Sequence, residues 1–222
     1  MIVATQSKKK VSLVMRDIII RNIEEKDYYE VEYLAKRAFW NINMPGCDEH
    51  YLVHRLLKES VYVPEISLLA ELDGKVVGAI LYAKAKIETD KGMVETLTFG
   101  PLCVEPEMQR EGIGGAILVE SMKKAKEYGY TSILLCGVPA YYPRFGFVTA
   151  DKYGITMPDG SNFDAFMAIE LQKGSLSDVS GRFFEPDVYS GDIHNAEYMQ
   201  EVNKFDEGFP YMEKVVLPTQ WR

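Results

Sequence analysis

Residues 97–118 constrain the fold more than any other stretch of this chain. An apolar run ends at Val104, the chain breaks at Pro106, and glycines follow at positions 112, 114 and 115, directly before a strongly helical segment. A strand, a glycine-rich loop and a helix N-terminus together suit phosphate, because glycine lets the backbone approach the ligand and the first-turn N–H groups are unpaired. The stretch therefore predicts an α/β protein that holds a phosphate-bearing ligand.

Three kinds of phosphate loop have to be compared with this stretch. A dinucleotide fingerprint, G-x-G-x-x-G, needs a glycine at position 117, which is Ile117. A Walker loop needs Gly-Lys-Ser/Thr, whereas Gly115 is followed by Ala116. The segment Gln109-Arg-Glu-Gly-Ile-Gly114 instead resembles the Q/R-x-x-G-x-G/A coenzyme A pyrophosphate loop of the GNAT acyltransferase superfamily. A glycine-rich turn that merely caps a helix is the alternative.

A second motif strengthens this resemblance. Tyr142-x-x-x-Gly146-Phe147 follows the loop after one helix and one short strand, as the Y-x-x-x-G-F motif does in GNAT enzymes. The resemblance covers residues 16–171, and residues 63–71 and 139–147 look most like the YhbS-type branch. It implies a GNAT fold of the α/β (α+β) class, with a mixed central sheet whose parallel strands splay around an acyl-CoA site and helices that flank the sheet.

The resemblance also implies a reaction and its site. An N-acetyltransferase of this kind moves an acetyl group from acetyl-CoA to an amine, on a small molecule or a peptide, by direct attack on the thioester. Tyr142 would be the general acid and would also contact coenzyme A, whereas Tyr141 lacks the motif spacing. The pantetheine would bind the strand at Leu102, Cys103 and Val104, and the pyrophosphate would bind Gln109, Arg110, Glu111, Gly112, Ile113, Gly114 and Gly115. A non-catalytic acyl-CoA-binding regulatory module is the alternative function.

The general base is harder to assign from sequence. Glu95, early on the long central strand, occupies a region where some GNAT enzymes carry a base, but it also suits a solvated strand edge. Water-relayed deprotonation is the alternative. In GNAT proteins the N-terminal helical arm lines the acceptor side, so Asn43, Asp48, Glu49 and His50 are expected near substrate. His50 and His54 have the spacing of a metal pair on a helix, but no third ligand is near in sequence, so no metal is predicted.

Composition limits the partners of the chain. Its 25 basic and 33 acidic residues give a net charge of −8, which argues against nucleic acid or an anionic membrane as a partner. Three cysteines without metal or redox spacing favour the reducing cytoplasm. No apolar run is long enough to span a bilayer.

The chain divides into three parts. Residues 1–15 are expected to be a flexible leader, residues 16–171 the GNAT acyltransferase core, and residues 172–222 a C-terminal extension packed on the core. The aromatic residues of the extension argue against a disordered tail. Covering the acceptor cleft and forming a homodimer are the roles left open for it. Its residues 195–205 have the pattern of a short helix.

Overall fold

The structure, a computed structural model, describes residues 17–218, so the leader predicted over residues 1–15 lies outside the described residues. The strands are β1 (Ile19–Asn22), β2 (Leu68–Leu72), β3 (Lys75–Thr89), β4 (Gly92–Val104), β5 (Ser132–Cys136), β6 (Val148–Thr149), β7 (Ile155–Thr156), β8 (Phe166–Glu170) and β9 (Gly181–Phe184). The α-helices are α1 (Tyr28–Phe39), α2 (Glu49–Leu56), α3 (Ile113–Glu127) and α4 (Ala196–Asp206).

All nine strands belong to one mixed sheet, in the order β1-β2-β3-β4-β5-β8-β6, with β9 pairing β3 and β7 pairing β9. Strands β4 and β5 are parallel, because α3 connects them as a crossover helix. Their register contains one pair, Leu97 with Ile133, although β4 continues to Val104. The two strands therefore diverge beyond that pair, and the predicted splayed mixed sheet is confirmed.

Helices cover both faces of this sheet. Helix α3 packs on one face, where Ile117 and Leu118 join Tyr82 and Leu97 in a buried cluster. Helices α1 and α2 pack on the opposite face against the alternate residues of β3 and β4, including Leu81 and Cys103. The two-residue period of strand side chains produces this division. The sheet is therefore covered by helices on both faces around the place where β4 and β5 separate.

The helix predicted after the glycines is α3, and the short helix predicted over residues 195–205 is α4. The Asp73-Gly74 turn joins β2 to β3, and both residues have the positive φ that such a two-residue turn requires. Asp48 stands at the N-cap position of α2, but its side chain makes no cap hydrogen bond. Its Oδ2 atom instead accepts a hydrogen bond of 2.9 Å from the hydroxyl of Tyr198, because the C-terminal segment lies against this helix.

The C-terminal segment adds both a strand and a helix to the core. Strand β9 extends the second half of β3 by antiparallel pairing, with Phe183 opposite Ile87. Helix α4 lies on α2, and the Lys36 ammonium, fully buried, is 2.6 Å from the Asp206 carboxylate. The aromatic ring of Phe209 stacks on Tyr29 at 5.1 Å between centroids. The segment thus contacts the α1–α2 face along much of its length.

Candidate active site

A cavity of about 850 Å³ opens where β4 and β5 diverge. Its walls are the C-terminal end of β4, the loop before α3, the end of α1 and the turn around Tyr142. Most of the residues that sequence analysis assigned to coenzyme A line this one cavity: Leu102, Cys103, Val104, Gln109, Arg110, Gly112, Ile113, Gly114, Gly115 and Tyr142. Glu111 and Glu95 do not belong to the lining.

The glycine loop presents unpaired backbone donors to the cavity. Gly112 is the N-cap of α3 and has φ of 96°, a left-handed conformation that favours glycine. The first N–H bonded within the helix is that of Ala116, which donates to the Gly112 carbonyl at 3.0 Å. The N–H groups of residues 113–115 are therefore free for a ligand, and the helix dipole favours an anion there. The loop can hold a pyrophosphate.

The edge of β4 that faces β5 supplies main-chain groups. One edge of β4 is bound to β3, with Leu102 opposite Ile80. The other edge of β4 pairs with β5 only at Leu97, opposite Ile133, so beyond Leu97 this edge has no paired strand among the described residues. The side chain of Gln109 donates to the Val104 carbonyl at 3.3 Å, which ties the loop to this strand. The unpaired edge can accept an extended chain such as pantetheine by β-type hydrogen bonding.

Tyr142 also lines the cavity, and its ring is held by packing. Ring centroids of Phe99 and Phe147 are 5.8 and 5.7 Å away. Gly137, just after β5, allows this position, because a Cβ atom there would overlap the ring edge of Tyr142. Burial raises the pKa of the Tyr142 phenol well above its usual range, so at neutral pH the hydroxyl carries its proton. The side chain is therefore placed to donate a hydrogen bond.

Tyr141 also belongs to the cavity, which the motif spacing did not indicate. A Cβ at Gly114 would lie 3.2 Å from the Tyr141 hydroxyl oxygen, so this tyrosine packs directly on the glycine loop. The guanidinium of Arg144 stacks on its ring at 4.9 Å from the centroid. The apolar wall formed by Phe39, Ile42 and Val138 has no sequence signature, because single apolar residues from separate elements make it.

The geometry does not support Glu95 as the base. Its side chain is 57% exposed and lies 3.8 Å from the Lys84 ammonium, on the half of β4 that precedes the splay. Its place opposite Lys86 on β3 is that of a solvated strand residue. Cys103 does line the cavity, but burial raises the pKa of its thiol to about 12. A neutral thiol of this kind is a poor nucleophile.

The two histidines of α2 lie in different environments. His50 is fully buried, with Cys47 Sγ 3.4 Å from its Nδ1 atom. His54 is partly exposed, and its Nδ1 atom lies 2.8 Å from the Glu32 carboxylate. Residues 17–218 contain no cluster of three side chains suited to hold a metal ion. Within the same residues, no helix combines the length and the apolar character needed to span a membrane.

Sequence comparison assigns the chain to a family. The model of the acetyltransferase (GNAT) domain matches residues 19–150, which include the glycine loop and Tyr142. The Escherichia coli K12 protein YjhQ, described as an uncharacterized N-acetyltransferase, is 38% identical over 126 residues, or 56% of this chain and 66% of YjhQ. The chain therefore belongs to the GNAT acetyltransferase family.

Solved structures agree in fold. The crystal structure of E. coli YhbS in complex with CoA matches with a TM-score of 0.70 at 22% identity, over 78% of this chain and 92% of that one. A GNAT family acetyltransferase from Brucella melitensis in complex with acetyl-CoA matches with a TM-score of 0.63 at 24% identity, over 78% and 97% of the two chains. The resemblance to the YhbS-type branch is confirmed. An acyl-CoA-dependent transferase is the class of enzyme that family and fold define.

Proposed function

We propose that the protein transfers the acetyl group of acetyl-CoA to a primary amine of a small molecule or peptide, by direct attack on the thioester. The observation that carries this proposal is the convergence on one cavity of the α3 N-terminus, the unpaired edge of β4 and the Tyr142 side chain. The α3 N-terminus suits the pyrophosphate, the β4 edge suits the pantetheine arm, and Tyr142 suits the reacting sulfur.

In this reaction the amine nitrogen attacks the thioester carbon and the carbonyl oxygen becomes an oxyanion. Backbone N–H groups at the unpaired edge of β4 would stabilise that charge in a site from which water is excluded. The C–S bond then breaks, and the thiolate receives a hydrogen bond from Tyr142. Because the phenol pKa lies far above the ~8.5 of a thiol, Tyr142 acts chiefly as a hydrogen-bond donor and solvent supplies the final proton.

Direct attack is favoured over a covalent acyl-enzyme because the thiols are poor nucleophiles. Burial raises the pKa of Cys103, which lines the cavity, to about 12, and it raises that of Cys47 still further. Cys136 is exposed and does not belong to the lining. Attack by a thiol requires the thiolate, which is scarce at such pKa values. We therefore expect sequential kinetics, with both substrates bound before the first product leaves.

The test combines calorimetry with turnover. We expect acetyl-CoA to bind and a panel of amines to include at least one that releases free thiol. Tyr142→Phe should bind acetyl-CoA as the wild type does and lose about 10²- to 10³-fold in kcat, the usual cost of removing one hydrogen-bond donor from a developing negative charge. Tyr141→Phe is the matched control, because it removes a hydroxyl from the neighbouring tyrosine of the same cavity.

The outcomes separate the alternatives. Binding without thiol release on any amine would favour the non-catalytic acyl-CoA-binding module. Equal turnover by Tyr142→Phe and wild type would remove Tyr142 from its role. Absence of acetyl-CoA binding would refute the assignment of the glycine loop.

A further inference from the structure

The carboxyl group of Glu49, the first residue of α2, is incompletely satisfied. Its Oε1 atom accepts a hydrogen bond of 3.0 Å from the side-chain amide of Asn43. Its Oε2 atom is buried and has no hydrogen-bond partner among the described residues. A buried carboxylate oxygen without a partner costs free energy and calls for an explanation, of which a catalytic role is one.

Glu49 is linked to the wall of the cavity by one hydrogen bond, although its own side chain is not part of the lining. Asn43, its hydrogen-bond partner, directly follows Ile42, which lines the cavity. Cys103 lines the cavity from β4, and its thiol is near enough to Glu49 that the carboxylate charge contributes to its raised pKa. Glu49 is thus coupled to two parts of the lining, by a hydrogen bond to the segment after α1 and by its charge to Cys103 of β4.

We propose that the Glu49 carboxylate is the general base of the transfer and accepts a proton from the acceptor amine through a water molecule. This role rests on the proposed acetyl transfer. When the N–C bond forms, the amine nitrogen loses a proton to the water, which passes one to Glu49 Oε2. When the C–S bond breaks, the thiolate leaves with its electron pair, and Glu49 returns its proton to solvent after release.

Electrostatics support this role. Burial, and next the charge of Asp48, raise the pKa of Glu49 from 4.5 to about 7. A carboxyl at its usual ~4.3 is a weak base toward an ammonium near ~10.4, and a pKa near 7 narrows that gap. The titratable groups coupled to Glu49 by charge are Asp48 and Cys47, which are near it in sequence, and Cys103 of β4. Arg37 and Glu105 act in turn on Cys103, and Asp206 acts on Cys47.

A second half-buried carboxyl, that of Glu185, is the main rival. It follows β9, burial raises its pKa, and its charge contributes to the raised pKa of Cys136. Like Glu49, it is not part of the cavity lining, and its charge also raises the pKa of Tyr189, whose hydroxyl donates to the Gly100 carbonyl of β4. Unlike Glu49, it has no hydrogen bond to another of the described residues that would connect it to the lining. Glu185→Gln therefore makes a matched control for Glu49→Gln, because each removes one desolvated carboxylate.

The experiment measures kcat/KM against pH for the wild type, Glu49→Gln and Glu185→Gln on an amine that the wild type acetylates. We expect wild-type kcat/KM to rise as pH rises through about 7, because the base must be ionised. Glu49→Gln should lose about 100-fold or more at pH 7.5, lack the rise near 7, and keep its Kd for acetyl-CoA. Glu185→Gln should stay within about threefold of the wild type.

Each outcome has a defined meaning. Glu49→Asp should recover part of the lost activity, which would exclude misfolding as the cause. An active wild type whose Glu49→Gln variant keeps both its rate and its pH profile refutes the base while leaving the acetyl transfer intact. A loss confined to Glu185→Gln also refutes it. A wild type without turnover on any amine would overturn the acetyl transfer and the base together.

Discussion

The buried ion pair between Lys36 and Asp206 is expected to hold the C-terminal segment on the core. The Lys36 ammonium is 2.6 Å from Asp206 Oδ1 and donates to the Pro210 carbonyl at 3.0 Å. It also lies over the Trp40 ring, 4.7 Å from the centroid. The Lys36 side chain has no exposed surface. In Asp206→Ala its ammonium would keep the Pro210 carbonyl as a hydrogen-bond acceptor and the Trp40 ring as a cation–π contact, but no negative charge. Removing one partner of a buried pair costs about 3–5 kcal/mol.

Urea unfolding followed by circular dichroism measures that loss, with hydrogen exchange of α4 as a second readout. We expect the free energy of unfolding to fall by about 3–5 kcal/mol, or the amides of α4 to lose protection first if the segment opens locally. The double variant Lys36→Met/Asp206→Leu should recover most of the stability, because it removes both charges together.

A loss below about 1 kcal/mol in Asp206→Ala, with α4 still protected, would refute the reasoning. So would a double variant as unstable as the single one, because the cost would then arise from packing rather than from an unpaired buried charge.

Two further predictions concern the site. Gly137→Ala should cost about 1–3 kcal/mol in thermal unfolding and lower kcat more than acetyl-CoA affinity, because the new methyl displaces the ring of Tyr142; unchanged kcat would contradict this. Glu49→Gln should be more stable than the wild type at pH 8 and equal to it near pH 4. The folded-state pKa of Glu49 is raised to about 7, so its contribution to stability is present below 4.5 and lost as pH rises through 7. Parallel stability curves of the two proteins would contradict this.

Local patterns identified correctly the strand before the glycine loop and the helices α3 and α4. The glycines of residues 112–115 follow an apolar strand and precede α3, so the helix N-terminus and its free N–H groups follow from spacing alone. The Asp73-Gly74 turn between β2 and β3 is also a local feature, because Asp and Gly tolerate the positive φ angles that a two-residue hairpin turn requires. Strand β9 escaped sequence analysis, since its four residues pair with β3 almost a hundred positions earlier in the chain.

The candidate acid and the candidate base also differ in how far sequence alone could identify them. Tyr142 stands in a motif with fixed spacing, and the structure places it in the cavity with the glycine loop. Glu95 attracted attention by its strand position, yet its carboxylate is exposed beside Lys84. The features that make Glu49 a candidate base, an unpaired oxygen and a raised pKa, are properties of its surroundings.

The sequence by itself determined the family and the glycine loop before α3, because these depend on residue types at short separations along the chain. Only the tertiary structure decided which carboxylate is desolvated next to the cavity and where the C-terminal segment lies. Burial and electrostatic coupling depend on distances between residues such as Lys36 and Asp206, which are 2.6 Å apart in space and 170 positions apart in sequence. No local pattern in a single sequence records such a pairing.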